Sequence, residues 1–240
     1  MDPLVARQTQ AQTFFIDALS VYRKIVDANH MHHQELYCSL SSFLKHALAK
    51  KPSLLDLGCG DAGMMRAALV EAEVGRYRGL DLSDVALDQA KINLEHLDIR
   101  TDFDCVDMLA YLKAPPLERF DVIFSGYALH HLDDAGKFEL ISAAMGHLNP
   151  EGVLLIADVF REEEEDLGDY LDRFCSEIRS RWSGLSAEEI QHTENHVRGF
   201  DQPGTVGQLQ ELARYLSLPS QRIFSHSFYQ MVVIGPLTKA

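Results

Sequence analysis

Residues 54–63 read Leu-Leu-Asp-Leu-Gly-Cys-Gly-Asp-Ala-Gly, with Gly58, Gly60 and Gly63 in the G-x-G-x-x-G spacing of a nucleotide-binding turn. Glycines there let the chain turn sharply out of an apolar strand and let a ligand approach the backbone without meeting a Cβ. Asp56 stands two residues before the first glycine. A carboxylate at that place meets like charge beside a pyrophosphate, whereas it attracts a ligand bearing an ammonium or sulfonium group. The stretch therefore reads as the end of a first strand opening into a turn for a cationic nucleoside.

Outward from that turn, short apolar runs alternate with helical stretches, the texture of β-α-β units on a parallel sheet. The spacing predicts strands over Ser53–Leu57, Tyr77–Asp81, Asp102–Val106, Asp121–Phe124 and Gly152–Val159. Ser83 is placed to cap a helix through Leu97, and Asp133 or Asp134 one through His147. Residues 160–216 break the rhythm and read as a helical insertion. Within them Ser186 and Glu189 form a capping box, with Leu185 and Ile190 at the staple positions, so a helix is expected from Ala187 to Gly199. The tail QRIFSHSFYQMVVIGPL supplies two final strands as antiparallel neighbours. Before Pro52, apolar residues at three- and four-residue steps predict one amphipathic helix over Phe14–Val26 and a second carrying Leu36, Leu40, Phe43, Leu44 and Leu48. The expected organisation is one domain over 1–240: a helical lid (1–50), a cofactor-binding core (51–159), a helical cap (160–216) and final strands (217–240).

The chain of 240 residues is 46% hydrophobic, enough for one sizeable core. Its 36 acidic and 22 basic residues give a formal net charge of -14, which repels a nucleic-acid backbone, and no basic run offsets it. The densest charge cluster, REEEEDLGD from Arg161 to Asp169, is acidic and reads as a solvated helix face. Cysteines at 38, 59, 105 and 175 form no C-x-x-C pair or metal-finger spacing, so a reduced, cytoplasmic protein is expected. No signal pattern opens the sequence, and no apolar run approaches the ~18 residues of a membrane span.

Two further carboxylates sharpen the reading. Asp81 ends the second strand in YRGLDLSD, where it can accept hydrogen bonds from both hydroxyls of a ribose. Asp107 ends the third in DCVDML, where it can receive an exocyclic amine, with Met108 or Leu82 offering apolar surface to a base. Each could instead cap the helix that follows it. Together with FDVIFSGYALHHL and LNPEGVLLIADVF, these stretches resemble five successive motifs of the class I S-adenosylmethionine-dependent methyltransferases, from Leu54 to the end of the chain. The ALHHL stretch is similar to the small-molecule branch that includes ubiquinone and menaquinone methyltransferases. The resemblance implies a Rossmann-like α/β/α sandwich with a seven-stranded, mostly parallel sheet whose last strand is antiparallel. It implies S-adenosylmethionine as cofactor, held by Asp56, Gly58, Cys59, Gly60, Asp81, Leu82, Asp107, Met108 and Ser125. No N-P-P-Y or D-P-P-Y follows the fourth strand, so the methyltransferases of nucleic-acid bases match poorly. The paired acidic metal ligands of catechol-type enzymes are not evident, and no metal is expected.

Methyl transfer needs mainly an in-line arrangement of nucleophile and methyl carbon. His130 and His131, just after the fourth strand, are the candidates for removing a proton from the acceptor; the alternative is that they pack the start of the next helix. Tyr22, His33, Tyr37 and Arg161 are candidate acceptor contacts, Arg161 being equally suited to an ion pair with its acidic neighbours. His192 and His196, four apart, face either solvent or a pocket under the cap; a pair at that spacing can bind a metal, but with no clear third ligand the solvated pair is the favoured reading and a His-rich metal site the outside alternative. The expected activity is methylation of a small-molecule acceptor, preferably at oxygen, by a monomer or homodimer with no nucleic-acid or membrane partner. A non-catalytic S-adenosylmethionine-binding or partner module is the alternative, and an NAD-dependent oxidoreductase a more distant one.

Overall fold

The computed structural model describes residues 20–47 and 51–236, and residues 14–19 of the expected first helix lie outside them. Strand β1 (Ser53–Leu57) is central: it pairs in parallel with β2 (Arg76–Asp81) on one side and β4 (Phe120–Gly126) on the other. The full order is β3-β2-β1-β4-β5-β7-β6, with β3 (Arg100–Cys105), β5 (Leu148–Val159), β6 (Ser220–His226) and β7 (Tyr229–Ile234). β7 runs antiparallel to both β5 and β6, so it alone is reversed in a seven-stranded sheet. Strands covered on both faces need apolar residues throughout rather than alternation. LLIADV in β5 and YQMVVI in β7 have that character and are buried at every position.

Helices cover both faces. On one, α2 (His33–Ala47) and α3 (Met65–Glu71) bring Leu36, Leu40, Leu44, Met65 and Leu69 against Leu54, Val122 and Leu155, with α4 (Asp84–Leu94) adding Ala90 and Leu94. On the other, α5 (Met108–Lys113), α6 (Asp134–His147) and α9 (Val206–Tyr215) set Leu112, Leu140, Ile141 and Leu209 against Leu55, Ile123 and Ile156. This is the expected three-layer sandwich. Above the carboxyl edge of the sheet a third apolar cluster joins the helical residues 20–27 (α1), α7 (Leu167–Arg181) and α8 (Ala187–Phe200) through Ile25, Tyr170, Phe174, Ile178, Trp182 and Val197. Thus of the three helices within 160–216, α7 and α8 form the cap while α9 packs on the sheet.

Local signals decide several boundaries. Ser83 and Asp133 cap α4 and α6 by accepting the backbone N–H of Ala86 and of Gly136, and both halves of the Ser186–Glu189 capping box are made. α4 ends at Leu94 rather than Leu97. β5 starts at Leu148, four residues before the expected Gly152, because Leu148 pairs with Phe120 across a shift in register that sequence spacing does not reveal. Among the described residues no helix is long and apolar enough to cross a membrane.

Candidate active site

Between the carboxyl edge of the sheet and the cap lies a cavity of about 630 Å³, at the point where the strand order reverses between β1 and β4. Its floor is the glycine turn. Gly58 and Gly60 take left-handed φ values of 74° and 54°, which side chains rarely adopt, and a Cβ on Gly58 would stand 2.8 Å from that of Ala128. A Cβ on Gly60 would meet nothing within 4 Å, so there the backbone faces open space beside Asp81. Asp81 holds the turn in shape, accepting the N–H of Gly60 at 2.8 Å and that of Ser83 at 2.9 Å. Burial raises its carboxyl above the usual range, against the pull of these bonds.

Asp56 sits one layer behind. It is buried on the α2–α3 face, and Tyr77 donates its hydroxyl to Oδ2 at 2.8 Å. Burial pushes the carboxyl up to about 7, with Tyr77 opposing and Asp81 adding to the rise. Asp61 lines the cavity and Asn93 donates to its carbonyl at 2.8 Å. Tyr22, over the cavity and 38% exposed, faces all three carboxylates: desolvation against the cavity first, then Asp61, Asp81 and Asp56, hold its phenol above the ordinary value. The floor thus has strong negative potential.

The opposite wall is made of histidines. A 3-10 turn, Leu129–His131, follows β4, and Tyr127 with a left-handed φ of 54° starts it. His130 is anchored to Asp158 at the end of β5: its backbone N–H donates to Oδ2 at 3.0 Å, and its Nδ1 lies 2.5 Å from Oδ1. Gln202 donates its N–H to the His130 carbonyl at 2.7 Å, and Lys137 binds the Gln202 carbonyl, which draws the segment after α8 to the turn. That segment carries Asp201. Its Oδ1 is buried without a hydrogen-bond partner, and three imidazole nitrogens surround it: His130 Nε2 at 3.8 Å, His131 Nδ1 at 3.7 Å and His196 Nε2 at 3.7 Å. Burial alone would lower the His130 pKa, but Asp158 and Asp201 outweigh it and raise it to about 9. Desolvation against the cavity wall and then His130 lower the His131 pKa, although its ring keeps 38% of its surface exposed; burial, His130 and His192 bring His196 to about 4, and burial lifts Asp201 to about 6.

Residues 54–152 match the family described as a methyltransferase domain. They are an S-adenosylmethionine-dependent methyltransferase domain. Curated relatives agree. The ubiquinone biosynthesis O-methyltransferase of Rhodopseudomonas palustris is 24% identical over 153 residues, 61% of this chain and 56% of that protein. An uncharacterized methyltransferase of Anoxybacillus flavithermus is 31% identical over 150 residues, 60% of this chain and 66% of the relative. The chain therefore spans little more than half of the first of these. Among solved structures, the plantazolicin methyltransferase BpumL in complex with SAH superposes with a TM-score of 0.65, covering 96% of this chain and 95% of that one at 17% identity, a likeness of fold.

Within the methyltransferase domain and its cap the structure gathers some of the expected residues and separates others. Gly58, Cys59, Gly60, Asp81, Tyr22, Tyr37, His130 and His131 line the cavity. Asp107 caps α5, its Oδ1 accepting from Ala110 at 2.8 Å, and Met108 packs with the second face. Ser125 is fully buried in β4 with its Oγ unpartnered, and Leu82 accepts the Cys105 thiol at its carbonyl. His33 lies behind the wall, in ring contact with Tyr22 and Tyr127, and burial lowers it to about 4. Arg161 is not brought to the cavity: its guanidinium donates to the carbonyls of Pro203 and Glu165 at 2.8 and 2.7 Å, tying the loop below Asp201 to the end of β5. Sequence reasoning missed Tyr127, Asp158 and Asp201. Only Asp158 carried a signal, as the one acid in the otherwise apolar expected strand Gly152–Val159.

Proposed function

We propose that the protein methylates a small organic acceptor, preferably at an oxygen, using S-adenosylmethionine. The observation that carries this reading is the cavity itself: a glycine turn open at Gly60 beside Asp81 on one side, a cluster of imidazoles on the other. When bound, S-adenosylmethionine supplies a methyl group on a sulfonium with a good leaving group. Gly58, Cys59 and Gly60 leave room for it along the backbone. Asp81 accepts ribose hydroxyls with the lone pairs its backbone bonds leave free, and Asp107 receives the adenine amine through its second oxygen. Asp56 and Asp61 add the potential that favours ammonium and sulfonium charge.

The acceptor lies between Tyr22 and Tyr37 on the lid side and Tyr127, His130 and His131 on the other. Those histidines handle the reacting oxygen: His131 offers a neutral imidazole lone pair, and His130 is fixed by Asp158. His33 and Arg161 act indirectly, His33 by supporting the tyrosines and Arg161 by fixing the loop of Asp201. Residues 20–47, together with α7 and α8, close over the acceptor and exclude water, while 51–159 hold the cofactor. A cavity of about 630 Å³ suits a small molecule, and a charge of -14 keeps nucleic acid away. The reading places a monomer or homodimer in the cytoplasm.

The test is calorimetry with S-adenosylhomocysteine and with NADH, followed by assay of S-adenosylhomocysteine release from a panel of phenols, alcohols and carboxylic acids. One-to-one binding of the former, none of NADH, and release with a member of the panel is the expected outcome. Preference for NADH restores the oxidoreductase, and binding without release from any acceptor class leaves a binding module.

A further inference from the structure

The histidine wall holds more than a general base needs. Three imidazole nitrogens from two separate elements, the 3-10 turn and α8, converge on one buried carboxylate oxygen, and each stops at 3.7–3.8 Å, beyond hydrogen-bonding distance. Buried polar atoms are ordinarily paired, so a buried Asp201 Oδ1 with nothing bonded to it, facing ring nitrogens, is a group arranged around something else. His130, His131 and Asp201 each offer one donor atom to a set whose members all lie within 4.8 Å of one another, and the nitrogens nearest Asp201 Oδ1 are His130 Nε2 and His131 Nδ1. In a tetrahedral set with bonds of about 2.0–2.1 Å, ligand atoms stand about 3.3–3.4 Å apart. The separations from Asp201, 3.8 and 3.7 Å, exceed this by a few tenths of an ångström, and side-chain rotation would draw the set, within 4.8 Å throughout, onto an ion.

The support behind these atoms has the same character. A metal-binding imidazole commonly gives its other ring nitrogen to a carboxylate, which fixes tautomer and ring plane. His130 does so: Nδ1 is engaged with Asp158 Oδ1, and that carboxylate is itself held by the N–H groups of His130 and Val159. Nε2 is thereby the nitrogen that faces Asp201, and its proton is the one an incoming ion displaces. The Asp201 loop is pinned in turn by the Gln202 bond to the His130 carbonyl and by Arg161 on Pro203. His130, His131 and Asp201 all border the cavity, so a fourth coordination position opens on the acceptor side.

We propose that His130 Nε2, His131 Nδ1 and Asp201 Oδ1 bind a zinc-class divalent ion whose open position takes an oxygen of the acceptor, with Asp158 as positioning residue. Two imidazoles and one carboxylate with a free site is the donor set of catalytic rather than structural zinc. His196 stands beside this set and closes the cavity wall above it. This replaces the sequence-based expectation of no metal. The ion site stands on its own geometry; naming the acceptor's oxygen as its fourth ligand rests on the methyltransferase reading.

The probe is Co2+ titrated into the untagged, chelator-stripped chain, read by visible absorption and calorimetry, with Zn2+ as competitor. One tight equivalent, with the intense bands of a four- or five-coordinate ion and displacement by Zn2+, is expected. Asp158→Asn should weaken Co2+ by about 10–100-fold, His131→Ala and Asp201→Asn by more, and His96→Ala, exposed on the far side of the fold, not at all. S-adenosylhomocysteine affinity, measured without metal, reports that each variant is folded. Absence of a tight equivalent, or binding that survives Asp201→Asn in folded protein, overturns the site and leaves His130 as a protonated bridge between two aspartates. Tight Co2+ in a chain that does not bind S-adenosylhomocysteine keeps the ion site and removes the acceptor role.

Discussion

At the floor of the cavity, Gly58, Gly60 and Asp81 come from the exits of two adjacent parallel strands, and backbone N–H groups hold the carboxylate. At the opposite wall, His130, Asp158, His196 and Asp201 come from a turn, a strand, a helix and a loop, and side chains mostly hold one another. The floor is therefore a property of the sheet, formed once β1 and β2 pair. The wall exists only when the cap has docked. A binding element built the first way tolerates changes in the cap, whereas one built the second way is broken by any of its members. Chemistry that must vary with the acceptor belongs on the second kind of surface, which can be rebuilt without disturbing the first.

The contrast can be broken in four ways, by decreasing effect. Asp158→Ala leaves a buried imidazole and the N–H groups of His130 and Val159 without their acceptor; removing one member of such a buried pair costs roughly 3–5 kcal/mol, read from denaturant unfolding. S-adenosylhomocysteine affinity in the surviving folded fraction should stay within twofold, and a parallel loss of both would join the two halves. Next, Asp81→Ala should weaken that ligand by about 1–3 kcal/mol, with Co2+ binding untouched. Calorimetry measures both.

Asp56→Asn should lower the same affinity about tenfold, or about 1.4 kcal/mol, at pH 8, and it carries a pH signature. The folded carboxyl titrates near 7 against an ordinary 3.8, so the folded apo chain binds the proton more tightly than the unfolded one. That contribution to stability is complete at low pH and is lost as pH rises through about 7. The ligand's ammonium favours the charged form, so affinity should climb with pH to about 7 and then level. A flat profile in the parent protein would detach Asp56 from the floor. Smallest, Ser186→Ala removes the cap of α8 and should cost about 1 kcal/mol in a melting experiment, loosening His196 and leaving Asp81 unaffected.

Legibility in the sequence followed the same division. Asp56, Asp81 and the glycines were readable because strand, turn and carboxylate lie within a few consecutive residues, and the capping box at Ser186 fixed the start of α8 for the same reason. Asp201 was not, because nothing near it in the chain distinguishes an aspartate after a helix from any other; its meaning comes from His131, far away in sequence. Arg161 misled through its glutamate neighbours, when carbonyls across the cap boundary claim its guanidinium. The i,i+4 pair His192 and His196 does face the cavity, but His196 turns to Asp201.

The reversed strand β7 has a consequence for how the chain is made. During synthesis β5 and β6 emerge first, yet they are not neighbours: the strand that joins them is formed by residues 229–234. Until those residues leave the ribosome, the apolar flank of β5 stays open as an unpaired edge, the kind of surface that recruits other nascent chains. The glycine floor, complete once β1 and β2 have paired and Ser83 has followed, can form early, while Asp158 and everything it aligns must wait for the sheet to be filled from the middle.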